Sequence, residues 1–231
     1  MSEIQAPIHP KTEAAAALVK GAISAIPIAG GAISELTNLY LNPLEKRKQR
    51  WMVEVSEAIN KIQDRFNLLP KDLEGNEQFV SFLYQATLVA VKSHQQEKLI
   101  ALRNALSTSI ATDQFSEDVS FQFLRYIDEL TCSHLAILAA VDCNIEQLAE
   151  CKTLELVYAN VRKTLAHDVD RLSFRAFLQD LDTRFLVRIG DLEDYPEFES
   201  KAEYIALESS EVRPLELTSY GSSFLSFIQG H

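Results

Sequence analysis

The sequence predicts a mainly α-helical protein, a multi-helix bundle with a small α+β unit at its C-terminal end. Three observations predict it. Apolar residues recur at steps of three and four from about residue 43 to residue 166, the spacing of one helix face. Runs with the alternation of strands occur only after residue 180. The 231 residues are 47% apolar and 24% charged, with only 7 Gly and 7 Pro. This excludes collagen-like, low-complexity and fully disordered chains. A chain of this length can bury roughly 70% of the surface it exposes when unfolded.

Residues 1–13 read as a tail, with Pro7 and Pro10 limiting any helix. From Ala14 to Leu41 the chain is apolar and rich in small residues, and the 14 residues between Lys20 and Glu35 carry no charge. That falls short of the ~20 a single spanning helix needs. Pro27 and Gly30-Gly31 break the segment, and Gly-Ala-Ile-Ser stands on both sides of the break, at 21–24 and 31–34. A hairpin of two short helices is expected over 14–41.

Asn42-Pro43 is a helix-start signal. The helix expected over 43–66 carries the stripe Trp51, Val55, Ala58/Ile59, Ile62 and Phe66. Leu69-Pro70 and Gly75-Asn76 mark a loop. A helix over 77–93 carries Phe79, Phe82/Leu83, Ala86 and Val89/Ala90, and another, to about Ile110, carries Leu99, Leu102 and Ala105/Leu106. Ser116-Glu117 opens a further helix toward Leu130. Thr131-Cys132-Ser133 starts a short apolar one over 134–141, and 145–166 holds one or two more.

The last 60 residues differ. Phe174–Asp182 reads as helix and Phe185–Ile189 as strand-like. Residues 190–216 form an acidic loop with 9 Asp/Glu against 2 Lys/Arg. Val212–Leu217 alternates like a strand that Pro214 confines to an edge. Thr218 caps a final helix with Tyr220, Phe224, Leu225, Phe227 and Ile228. The order is that of a small winged-helix-like unit. The expected organisation is therefore a tail over 1–13, a helical body over 14–145 and a winged-helix-like domain over 146–231.

The formal charge of −11 is uneven: residues 1–111 sum to +1 and residues 112–231 to −12. Residues 190–216 alone sum to −7, where a wing meeting phosphate should be basic, which argues against a nucleic-acid partner. Three cysteines in a chain that starts without a signal-peptide pattern suggest reduced thiols and a cytoplasmic protein. Cys132, His134, Cys143 and Cys151 lack the close pairing of a zinc site. Neither Cys132–His134 nor Cys151–His167 comes with an oxyanion-hole signature. Ala29-Gly30-Gly31-Ala32 is not a phosphate loop. No catalytic residue, cofactor or metal is assigned, and the chain is read as non-enzymatic. An enzyme is a third reading, which a deep pocket collecting His94, Glu97, Asp128, Glu129 and His134 would favour.

Lys46, Arg47, Lys48 and Arg50 follow directly on the apolar segment. Basic residues beside an apolar hairpin suit anionic lipid head groups, at about 1 kcal/mol each near the surface. The alternative is a solvated helix face opposite the Trp51 stripe, with the hairpin as core. The residues expected to meet a membrane or a partner are Ile26, Pro27, Ile28, Gly30, Gly31, Lys46, Arg47, Lys48 and Arg50.

Five stretches also carry a resemblance. They are Ile26-Pro27-Ile28-Ala29-Gly30-Gly31, then Leu44-Glu45-Lys46-Arg47 to Trp51, and His94-Gln95-Gln96-Glu97-Lys98 to Ala105. Phe123–Leu130 through His134 follows, and Leu217-Thr218 through Gly221 to Phe224–Ile228 closes the set. Over most of its length the chain resembles an uncharacterised family of standalone bacterial proteins. More loosely, it is similar to abortive-infection proteins of the alpha type. The span 142–170 is shorter than that resemblance leads one to expect. The resemblance implies a bacterial cytoplasmic protein in an antiviral-defence context and supplies no catalytic residue. The function expected is a non-enzymatic effector or accessory protein whose N-terminal hairpin associates, on a trigger, with the inner membrane. The alternative is a protein-interaction or regulatory module without membrane action. Either reading expects a protein partner or self-association.

Overall fold

A computed structural model describes residues 34–68, 70–110, 114–151, 153–190 and 215–230. The chain is mainly helical, with one two-stranded antiparallel sheet among the described residues. It divides into two compact units. One runs to Glu129 and takes in the chain from Phe227 onward; the other covers Leu130–Ser226.

The first unit is built on α1, Ser34–Phe66. The helix does not begin at Asn42-Pro43, as its start signal suggests, but runs through Pro43. A proline there forfeits the hydrogen bond its N–H would give the carbonyl four residues back. Pro43 is exposed, and the helix continues for six turns beyond it. The stripe that predicts the helix is its buried face: Trp51, Val55, Ala58 and Ile59 are 0% exposed and Ile62 1%. Burial is worth roughly 1.5–3 kcal/mol for each large apolar side chain. Phe66, at the end of the stripe, stays more than a third exposed.

The expected loop at Leu69–Asn76 contains a one-turn helix, α2 (Pro70–Glu74), whose Leu73 is buried. Proline suits a first helical turn, where its missing N–H is no loss. α3 (Glu77–Lys92) starts where Asn76 accepts a hydrogen bond from the Phe79 N–H, and it buries every apolar residue its pattern predicts. α4 (Gln96–Thr108) and α5 (Glu117–Glu129) complete the layer. α1 packs on α3 and α4, and α5 packs on the same two helices. The Trp51 indole N–H donates to Thr87 Oγ1 at 2.9 Å, both residues being fully buried. Phe82, Phe115, Phe121, Phe123 and Phe227 form an aromatic cluster with centroids 5.4–6.1 Å apart. Most of these pairs are tilted or edge-to-face, the favoured arrangements.

The second unit holds α6 (Cys132–Cys143), α7 (Ile145–Leu148), α8 (Leu154–Val161), a 3₁₀ turn (Arg162–Thr164) and α9 (Arg171–Thr183). Strands β1 (Val187–Arg188) and β2 (Glu216–Leu217) pair Val187 with Leu217 and Arg188 with Glu216. α10 (Ser219–Gln229) follows, with Thr218 Oγ1 accepting from the Gly221 N–H as the sequence predicts. Thr131, Thr153 and Asp170 cap α6, α8 and α9 in the same way. α9 packs on α6 and β1, and α6 also packs on β2. Val212 and Pro214 of the expected edge strand lie outside the described residues.

Candidate functional site

The basic run on α1 separates into two pairs. Arg47 reaches the C-terminal end of α3, where its Nη1 donates to the carbonyls of Val91 at 3.3 Å and Lys92 at 3.1 Å. These carbonyls have no partner further along the helix, and a cation complements the negative end of the dipole. Lys48 is 7% exposed, and its Nζ donates to Glu45 Oε1 at 3.1 Å, one turn away. Lys46 and Arg50 are exposed, four residues apart, so they stand one turn apart on one face. Gln49 and Val53 share that face; Val53 is 59% exposed.

Three acids of α1 that flank this face in sequence, Glu45, Glu54 and Glu57, are engaged within the fold. Glu45 holds Lys48. The Arg103 guanidinium meets Glu54 at 3.0 Å and Glu57 at 2.8 Å, and the Gln96 amide donates to Glu54 at 2.9 Å. Lys46 and Arg50 have no ion-pair partner among the described residues. The outward face of the first packed turns of α1 therefore carries two positive charges and one exposed valine.

The expected apolar hairpin meets the described residues only at its end. Residues 34–41 are helical and continuous with α1. Ile26, Pro27, Ile28, Gly30 and Gly31 lie outside the described residues. Among the described residues, no helix is long and apolar enough to cross a membrane.

Of the polar residues considered for catalysis that lie in the first unit, Asp128 lines a cleft that His94, Glu97 and Glu129 do not line. This cleft, of about 530 Å³ between α3 and α5, is lined by Gln85, Lys92, Asp118, Gln122, Arg125 and Asp128 with apolar neighbours. Asp128 is half-buried there and takes Lys92 Nζ at 3.0 Å. Its backbone carbonyl takes Lys98 Nζ at 2.9 Å, a cap on α5. His94 and Glu97 are exposed, and neither they nor Glu129 lines the cleft. His134 belongs to the second unit, where it closes a capping box on α6. Its Nδ1 accepts from the Thr131 N–H at 3.2 Å, and its own N–H reaches Thr131 Oγ1 at 3.4 Å. That places the ring proton on Nε2, which faces Asp180 Oδ2 at 3.3 Å. The Phe177 ring lies 4.5 Å from the imidazole. Composition and spacing do not reveal the His134–Asp180 pair, because the partners are 46 residues apart and only packing of α9 on α6 joins them. Among the cysteines, Cys151 is buried with the Asn160 amide 3.3 Å from its sulfur, Cys132 is half-buried and Cys143 exposed.

Compared with protein-family models, with curated proteins and with solved structures, the chain matches none.

Proposed function

We propose that this chain is a non-enzymatic bacterial effector or accessory protein of an antiviral-defence type, whose apolar segment 14–41 associates with a membrane. The observation that carries the reading is the continuity of α1. The last residues of the apolar segment and the fully buried Trp51 stripe lie on one helix. A helix transmits force and orientation where a flexible linker would not. Membrane engagement of the segment would thus act directly on the core that α1 anchors. The second unit, with α9, the β1–β2 pair and α10 in that order, is read as winged-helix-like and as a protein-contact module.

A second reading has its own support. Arg47 and Lys48 are spent inside the fold. That halves the basic run and favours a protein-interaction or regulatory module in which segment 14–41 is core. Flotation of the full chain with vesicles of phosphatidylcholine and phosphatidylglycerol, at neutral and mildly acidic pH, separates the two. Co-flotation under either condition supports the membrane reading. A chain that stays at the bottom of the gradient under both supports the interaction module.

A further inference from the structure

We infer that the face of α1 formed by Lys46, Gln49, Arg50 and Val53 is a docking surface for an anionic lipid bilayer, and that Arg47 and Lys48 take no part in it. The inference rests on the membrane reading above and names the contact that reading leaves open.

The chain carries −11 overall, so an anionic surface repels it unless a local field is positive. On this face the field is positive. Lys46 and Arg50 are exposed and unpaired among the described residues, while Glu45 is paired with Lys48, and Glu54 and Glu57 share Arg103. The positive field therefore comes from how the fold pairs its acids as well as from the sequence of the run. Further along α1 the exposed face mixes Glu57, Lys61, Asp64 and Arg65 and has no net sign.

Shape agrees with charge. At 100° per residue, Val53 stands within about 20° of Lys46 and about 60° of Arg50, so the three share one face. A helix lying flat on a bilayer sets cationic side chains among head groups and an apolar side chain between them. Val53 is a β-branched residue left 59% exposed on a helix whose opposite stripe is fully buried. In sequence the face follows directly on the apolar segment 14–41.

The test is vesicle partitioning of the full chain and two charge-matched variants. Lys46→Gln/Arg50→Gln removes both charges of the face. Lys61→Gln/Lys163→Gln removes two exposed charges elsewhere. The probes are phosphatidylcholine vesicles with and without phosphatidylglycerol. Each basic residue near an anionic surface contributes about fivefold in partitioning. The first variant should therefore bind the anionic vesicles about 25-fold more weakly, and the control within about twofold of the parent. High salt should erase the difference. All four side chains are exposed, so both variants should keep the parent's circular dichroism and unfolding midpoint. If the parent binds and both variants weaken equally, net charge alone is responsible and the docking face is wrong while the membrane reading stands. If the parent binds neither vesicle, the membrane reading itself fails.

Discussion

At Phe185 the backbone takes φ 60° in a residue that is 74% exposed. The cause is the way α9 ends. The Leu186 N–H donates to the Leu181 carbonyl at 3.0 Å and the Phe185 N–H to the Asp182 carbonyl at 2.9 Å. This is the closing pattern that normally places glycine at this position. The hydrophobic contact that accompanies it is supplied by Leu181 and Leu186, both 0% exposed. A side chain in the left-handed region costs about 1–2 kcal/mol. Phe185→Gly should therefore raise stability by about 1 kcal/mol in urea unfolding, since little buried area is lost. At the other end of α9, Asp170 accepts from the Ser173 hydroxyl at 2.6 Å and the Ser173 N–H at 3.0 Å. The hydroxyl bond first, then the backbone bond, holds its carboxyl below the ordinary 3.8. A carboxyl lowered in the folded state stabilises above its unfolded value and loses that effect as pH falls through the folded one. Asp170→Asn, which keeps a capping oxygen, should flatten the acid limb of the stability profile while leaving its neutral region little changed. Thermal unfolding at stepped pH reads this directly.

Elements followed from periodicity wherever a stripe faced one core. The stripes of α1, α3 and α4 were legible because helix geometry alone brings their apolar residues to one side. What sequence could not supply was pairing across elements. Glu54 and Arg103 are 49 residues apart, yet their carboxylate and guanidinium sit at 3.0 Å with side chains 11% and 20% exposed. Arg103→Ala leaves the buried Glu54 with the Gln96 amide but without its cation, and should cost about 3 kcal/mol. Adding Glu54→Gln should recover part of that, and a double-mutant cycle measures the coupling. Pro43 misled for the opposite reason: a local start signal was overridden by a longer helix anchored downstream. Gly221 shows how α10 sits on the turn leading to β1. A Cβ there would lie 1.9 Å from the Leu186 carbonyl oxygen, which is backbone and cannot swing aside. Gly221→Ala should destabilise the protein by about 3 kcal/mol in chemical denaturation, at the upper end for overpacking.

For the whole molecule, the mainly helical character and the small C-terminal sheet were legible in the sequence. The candidate site was legible only as a basic run beside an apolar segment. Which of its four cations face outward depended on packing, because Arg47 finds the end of α3 and Lys48 finds Glu45. On the membrane reading proposed above, the N-terminal apolar segment is the part of the chain that engages the bilayer, and α1 carries its last residues into the first unit. Comparing flotation of the full chain with that of a variant lacking residues 1–33, on anionic vesicles, tests this most directly. The predicted result is loss of at least tenfold in vesicle association with the unfolding midpoint of the body unchanged. A truncated chain that floats as well as the full one would contradict it.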